Sequence, residues 1–230
     1  MLADPLPSAV LTSMATKRVI ILVAGVSAWA CNGNGTQPAG PPFDLLKSGG
    51  DGQSWYFDNP LPVPLSVTAV DVSGQVVPGV VVTWSVTSGG GAVSPLQSTT
   101  DVSGVATTTD SVGSSTRQTI NATFTGLPSP ASFSEFATSP PTTVGVSVTS
   151  FAFTPRDTIV QVGGMVTWTW NSGTTQHNVT YTSGPTPLPA NSPSQSGTTT
   201  FSTTFAAVGT YTYHCTFHPG QMMGSVTVVH

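Results

Sequence analysis

The chain has 230 residues and a formal net charge of −4, and charged side chains make up only 6% of it, against about a quarter in an average soluble domain. Membrane-spanning helices are excluded because no apolar run reaches the roughly 18 residues that they need. Disorder does not fit a chain so rich in Val and Thr. Nucleic acid is not an expected partner, because Lys and Arg form no cluster beyond Lys17 and Arg18.

Residues 1–31 have the pattern of an export signal. Lys17 and Arg18 precede a run of apolar and small residues from Val19 to Ala30, and Gly- and Asn-rich sequence follows it. A basic start, a short apolar centre and a small-residue exit are typical of a secretory signal peptide. The sequence therefore predicts export to the periplasm or the cell surface.

Cys31 directly follows the apolar run, and its place resembles the lipidated cysteine of bacterial lipoprotein signals. Lipidation would anchor the chain to a membrane, and it is the only membrane contact that the sequence predicts. Ordinary signal cleavage, which Ala28 and Ala30 also suit, is the alternative and would leave Cys31 as a thiol. Met1 and Met14 are both candidate start residues.

Residues 32–42 are rich in Gly and Pro and are predicted to be a flexible linker, whereas residues 43–138 are predicted to form a β-sandwich. Short segments such as Leu65–Val70 and Val80–Val86 are rich in Val and Thr and are separated by turns with Gly, Ser and Asp. This part of the chain has no histidine, and its acidic residues are expected at turns and flanks. No ligand site is therefore expected there.

The two segments VTAVDVSGQVVPGVVVTWSVTSGGGAVSP and TTDVSGVATTT, both within residues 43–138, resemble bacterial immunoglobulin-like domains of the invasin type. The resemblance implies an Ig-like sandwich that serves as a spacer and holds the following domain away from the membrane. A role in surface binding is the alternative.

Residues 139–143 contain two adjacent prolines and are predicted to be a stiff linker to a second β domain over residues 144–230. Strand patterns restart at Val144, so the fold class is all-β with two sandwiches in tandem. The predicted strands cover residues 144–153, 158–162, 165–170, 199–205, 209–215 and 224–229.

Residues suited to binding a soft metal ion are concentrated in the second domain. His177 follows a polar loop, Cys215 ends a strand, and His218 lies three residues later, with Met222 and Met223 in the same loop. A thiolate, two imidazoles and a thioether suit copper that cycles between Cu(I) and Cu(II). Zinc sites rarely include methionine. The sequence therefore predicts one copper ion at one pole of the sandwich.

Two other histidines are not expected to be ligands. His214 points to the opposite face of its strand from Cys215 because side chains alternate along a strand, and His230 is expected to be solvated. Trp168 and Trp170 share one strand face and are predicted to belong to the core.

The motifs HNV, at His177, and YHCTFHPGQMMGSVTV, around Cys215, are similar to the copper motifs of the cupredoxins, the group of plastocyanin, amicyanin and pseudoazurin. The resemblance implies a Greek-key sandwich with one type 1, or blue, copper ion. It implies that His177, Cys215 and His218 are ligands, and that the backbone of Asn178 donates a hydrogen bond to the cysteine sulfur.

The resemblance leaves the methionine ligand open. Counted from Cys215, Met223 has the spacing of plastocyanin. Counted back from the last strand, the family pattern Met-x-Gly-x-Val selects Met222, followed by Gly224 and Val226. Met222 is favoured because loop length varies in this family more than the strand does, and the other methionine is then a hydrophobic cap.

Phe217 departs from the family pattern, in which many members have proline between the cysteine and the second histidine. Proline has no N–H, so Phe217 offers one more donor to the thiolate. The hypothesis is that this donor raises the reduction potential.

The cupredoxin resemblance implies an exported one-electron carrier in which His218 is the electron exit. Redox protein partners are expected to dock on an apolar patch around His218, with Phe217, Pro219 and a methionine. Arg156 and Asp157 are the only charged residues of the segment 140–230, so little electrostatic steering is expected. A copper carrier or buffer is the alternative function, and a surface protein with a decayed site a third. An enzyme is not expected, because the chain has no further histidine cluster.

Overall fold

The computed structural model describes residues 38–230, and the predicted signal peptide with Cys31 lies outside the described residues, as do residues 32–37 of the first linker. Within residues 38–230 the secondary structure consists of seventeen strands, with no helix. No membrane-crossing helix is therefore found in the part of the chain that was searched. The all-β prediction with two sandwiches in tandem is confirmed.

The first sandwich contains β1 to β9. Its two sheets have the strand orders β1-β3-β7-β5 and β2-β9-β8-β4-β6. The strand bounds are β1 Asp44–Gly49, β2 Ser54–Tyr56, β3 Leu65–Val70, β4 Val81–Ser88, β5 Gly91–Ser94, β6 Gln97–Thr99, β7 Val105–Val112, β8 Arg117–Thr123 and β9 Ala131–Thr138.

Alternation along these strands builds the first core. Leu65 and Val67 of β3 face the same side and are fully buried, and they pack with Trp84 of β4, Ile120 of β8 and Phe133 of β9. Each large apolar side chain that is fully buried contributes about 1.5–3 kcal/mol. The core is thus supplied by strands that are far apart in sequence, from Leu45 of β1 to Ala137 of β9.

Two acidic residues of this sandwich are not at turns or flanks, and that expectation was wrong. Asp110 lies in β7 and Glu135 in β9, and both are completely buried. Each is in phase with the buried residues of its strand, Val112 for Asp110 and Phe133 for Glu135. The period of two along the strand therefore directs the carboxyl groups inward in spite of their polarity.

The second sandwich contains β10 to β17, in two sheets of strand orders β11-β10-β13-β15 and β12-β17-β16-β14. The pairs β10–β13 and β12–β17 are parallel, and the other pairs are antiparallel. The strand bounds are β10 Thr143–Thr149, β11 Ala152–Thr154, β12 Asp157–Gln161, β13 Met165–Asn171, β14 Thr180–Ser183, β15 Thr198–Thr204, β16 Gly209–His214 and β17 Met223–Val229.

The aromatic core of this sandwich supports the strand ends that carry the candidate ligands. Trp168 and Trp170 of β13 are fully buried, which confirms the prediction from their alternation. The ring of Trp168 meets that of Tyr213 on β16 at 5.4 Å between centroids and nearly at right angles, a favoured aromatic geometry. This contact joins the two strands that are followed by His177 and Cys215.

Candidate metal centre

His177 is held by backbone hydrogen bonds and is completely buried. Its N–H donates to the carbonyl of Gln195, and the N–H of Gln195 donates back to the carbonyl of His177, each at 2.9 Å. The indole N–H of Trp170 donates to the same carbonyl of His177 at 3.3 Å. The loop after β13 is thereby tied to both a neighbouring segment and the core.

A compact loop after β16 carries the remaining candidate ligands. The N–H of His218 donates to the carbonyl of Cys215 at 3.1 Å, and the N–H of Met222 donates to the carbonyl of His218 at 2.9 Å. The N–H of Cys215 closes the loop by donating to the carbonyl of Met222 at 3.0 Å. These three hydrogen bonds hold Cys215, His218 and Met222 close together, because each joins the backbones of two of them.

The two histidines turn the same ring nitrogen toward the cysteine sulfur. Sγ of Cys215 lies 3.7 Å from Nδ1 of His177 and 3.7 Å from Nδ1 of His218, and the three ligand atoms lie within 4.8 Å of one another. Nitrogen and sulfur donors that bond one ion at about 2.0–2.3 Å in a trigonal plane lie roughly 3.7 Å apart. The spacing and the soft donors therefore fit one type 1 copper ion.

The electrostatic setting keeps His177 in the form that a metal ligand needs. Burial lowers the pKa of His177, and the neighbouring His218 lowers it further. A lowered pKa keeps the imidazole neutral, with a lone pair available on Nδ1. Nε2 of His177 is buried and finds no hydrogen-bond partner in the part of the chain described.

The two methionines have opposite surroundings. Met222 is completely buried and belongs to the same apolar cluster as Cys215. Met223 is 44% exposed, begins β17 and pairs with His214. The alternative choice of Met223 as axial ligand is therefore not supported, because the chain turns its side chain away from the buried cluster.

The side chain of Asn178 joins the two loops that carry the candidate ligands. Its side chain accepts a hydrogen bond from the N–H of Thr216 and donates one to the hydroxyl of Thr216, both at 2.8 Å. Among residues 38–230, Sγ of Cys215 has polar contacts with the two Nδ1 atoms, and donation to it by the backbone of Asn178 stays a prediction. Asn178 therefore acts by clamping two loops together.

The extra hydrogen bond from the N–H of Phe217 to the cysteine sulfur likewise stays a prediction. The chain turns tightly here, because His218 donates back to the carbonyl of Cys215. The Phe217 ring is 47% exposed and lies 6.4 Å from the His218 ring, centroid to centroid.

Phe151 is a neighbour of the histidines that the sequence did not reveal. It lies in the turn between β10 and β11, and its ring centroid is 4.8 Å from that of His218. No local motif marks Phe151, because its partner His218 lies 67 residues later in the sequence. His214 and His230 lie outside the group of metal-binding side chains found among residues 38–230.

Comparison with known proteins agrees with this geometry. Residues 58–136 match the bacterial Ig-like domain, group 1, and residues 141–229 match the copper-binding proteins of the plastocyanin/azurin family. The comparison with curated protein sequences gives no match.

Similar solved structures include a purple cupredoxin from Nitrosopumilus maritimus, at 27% identity over 37% of this chain and 99% of that chain, with a TM-score of 0.34. A reduced mutant of amicyanin is 32% identical over 38% of this chain and 82% of that chain, with a TM-score of 0.33. A mutant plastocyanin of fern is 27% identical over 37% and 99%, with a TM-score of 0.33.

The family matches cover one sandwich each, and the three convergent donor atoms lie in the second. Residues 141–229 of this chain therefore belong to the plastocyanin/azurin family of blue copper proteins, and residues 58–136 form a bacterial Ig-like domain.

Proposed function

We propose that this chain is an exported blue copper protein that carries single electrons at the cell envelope. The supporting observation is the unequal burial of the ligand set. His177, Cys215 and Met222 are completely buried, whereas His218 is partly exposed. Copper held there would supply the Cu(I)/Cu(II) couple. The half-buried imidazole of His218 then provides a short route for the electron between the buried metal centre and a redox protein on the surface.

The protein's own contribution is to hold the ligands and to exclude water. The loop from Cys215 to Met222 is closed by its backbone hydrogen bonds, and His177 is held on both sides by Gln195. Ligands fixed in this way move little when the charge of the site changes, which favours fast electron transfer.

The surface around His218 supports docking through apolar contact. Phe217 is 47% exposed and Phe151 is 51% exposed, and Pro219 is exposed beside them. Met222 is buried and adds nothing to this patch. We propose that a redox protein partner docks on the patch formed by Phe151, Phe217, His218 and Pro219.

Steering by charge is expected to be weak. Arg156 and Asp157 are the only charged residues between positions 140 and 230, and they neutralise each other at 4.0 Å on the surface. The rate of electron transfer should therefore vary little with ionic strength. A steep fall in rate with added salt would contradict apolar docking.

The Ig-like domain supports a place outside the cytoplasm, and we propose that it is a spacer. Export through residues 1–31 and lipidation of Cys31 remain predictions. Labelled palmitate fed to cells that express the full chain tests lipidation, with Cys31→Ala as the control. Label that persists on the Cys31→Ala variant would exclude this anchor. We propose no enzymatic role.

The visible spectrum of the Cu(II)-loaded protein tests the proposal. An intense band near about 600 nm is expected of a copper–thiolate bond, together with reversible one-electron reduction and electron self-exchange. The alternative, a copper carrier or buffer, predicts rapid loss of copper to a chelator without electron exchange. Absence of the band would exclude a blue copper site.

A further inference from the structure

Phe151 has a backbone conformation that is unusual for a large side chain. Its φ is 65°, in the left-handed region that residues other than glycine and asparagine seldom adopt. Such a conformation is disfavoured for a residue that has a Cβ atom, and it persists where surrounding contacts impose it. The turn between β10 and β11 therefore bears strain at one aromatic residue.

The contacts of the ring point to the metal centre. The Phe151 ring meets the His218 ring at 4.8 Å and 89°, and the His177 ring at 6.4 Å and 87°. Perpendicular pairs at this distance are attractive, because the positive edge of one ring meets the negative face of the other. The 51% exposure of Phe151 shows that it is not simply a core residue.

His218 has few other restraints on its ring. Its backbone is fixed by the loop after β16, and its Nδ1 faces Sγ of Cys215 at 3.7 Å. The ring of Phe217, on the adjacent residue, lies farther away at 6.4 Å and is tilted by 45°. Among residues 38–230, the perpendicular contact with Phe151 at 4.8 Å is thus the shortest ring contact of His218, followed by the His177 ring at 4.9 Å.

We propose that Phe151 is a positioning residue for His218, whose ring it holds in the orientation that turns Nδ1 toward Cys215. The proposal rests on the proposed function and adds a residue from a distant turn to the site. The left-handed turn is what brings the aromatic ring over the imidazole. Removal of the ring should free the imidazole to rotate and should weaken the hold on copper.

Three variants separate positioning from stability. Phe151→Ala removes the ring and keeps the strained φ, whereas Phe151→Gly removes the ring and relieves the strain. Phe151→Leu keeps apolar bulk without the aromatic edge. Phe217→Ala is the matched control, because Phe217 is exposed to a similar extent, 47% against 51% for Phe151, and also lies beside His218.

Two measurements read the position of the imidazole. NMR of the metal-free protein follows the nuclear Overhauser effect between the ring protons of His218 and the β protons of Cys215, which should weaken in Phe151→Ala and Phe151→Gly. The rate of copper loss to a chelator should rise by roughly twofold to tenfold in Phe151→Ala and Phe151→Gly alike, the range expected for one aromatic pair. Phe217→Ala should change it less.

The outcomes are distinct. If Phe151→Ala lowers only the unfolding temperature, and Phe151→Gly restores it with copper release unchanged throughout, Phe151 has a merely structural role and the proposal is wrong. Equal effects of Phe151→Ala and Phe217→Ala on copper release would also overturn it. The proposed function fails separately, if the unaltered protein shows no copper–thiolate band.

Discussion

Each of the two sandwiches buries a group of polar side chains. The group in the second sandwich consists of nitrogen and sulfur donors, and the group in the first consists mainly of carboxyl oxygens. In the second sandwich, two Nδ1 atoms and Sγ of Cys215 converge within 4.8 Å. In the first, the buried polar residues are Asp110, Glu135 and Gln118, and Gln118 is opposite Glu135 in the pairing of β8 with β9. Both carboxylate oxygens of Asp110, Oε1 of Glu135 and Oε1 of Gln118 find no hydrogen-bond partner among residues 38–230.

The difference shows two ways in which buried polar atoms become tolerable. The donors of the second sandwich present lone pairs to one point, so that a bound copper ion can replace the lost water. The two carboxyl groups of the first sandwich become tolerable instead by taking up a proton as the pH falls below their raised pKa values. Burial raises the pKa of Asp110 to about 6 and, together with the charges of Asp51 and Asp110, that of Glu135 to about 7.

The largest effect is expected where a donor of the converging group is removed. Cys215→Ser should abolish the visible absorption band and weaken copper binding by at least about a hundredfold, because the thiolate is the softest ligand of the set. Absorption and a copper titration measure both effects. The metal-free variant should retain the unfolding temperature of the metal-free parent to within a few degrees, and a band near its original strength would contradict the assignment of Cys215.

The two adjacent methionines allow a sharper test of the same group. Met222→Leu keeps the buried volume and removes a weak donor, and it should raise the reduction potential because an apolar side chain in place of a donor leaves the more highly charged Cu(II) less stabilised. Met223→Leu, in which the side chain is 44% exposed, should leave the potential and the spectrum unchanged. Voltammetry of both proteins decides, and a shift confined to Met223→Leu would reverse the choice.

The acid pair of the first sandwich predicts an unusual dependence of stability on pH. Because burial raises both pKa values, from 3.8 and 4.5 in unfolded chain to about 6 and about 7, the folded state binds more protons between these values. The stability that the neutral carboxyls contribute is thus present near pH 4 and is lost as the pH rises through 6 and 7.

The variants Asp110→Asn and Glu135→Gln should flatten this dependence between pH 5 and about pH 8, because an amide does not ionise. Asp157→Asn, at an exposed acid on β12, is the control and should leave the slope as it is. Thermal unfolding of the metal-free proteins across that range measures the difference. An identical slope in the parent and the double variant would mean that the pair is not protonated on folding.

A smaller effect is expected at the clamp between the two ligand loops. Asn178→Ala removes two hydrogen bonds to Thr216 and should lower the free energy of unfolding by about 1–2 kcal/mol. Thr216→Val removes only the bond to the hydroxyl and should lower it by about half as much. Denaturant titration compares the two, and an equal loss in both variants would show that the backbone bond from Thr216 contributes nothing.

Much of the molecule followed from local sequence. Alternation and turn residues predicted an all-β chain and the buried Trp168 and Trp170, because the period of a strand is written in consecutive residues. The spacing of Cys215 and His218 and the order of the motifs predicted the copper chemistry, because ligands within one loop are constrained by the few residues between them.

Contacts between distant segments were decided only by the tertiary structure. Whether Met222 or Met223 faces the site depends on the register between β16 and β17. Alternation puts Asp110 and Glu135 on one face of their strands, but the packing of the two sheets decides that this face is buried. The ring of Phe151 reaches His218 through a left-handed turn. The sequence by itself predicted His177, Cys215 and His218 as the donors, whereas packing across the sandwich decided what surrounds them, because such contacts join residues that no local pattern links.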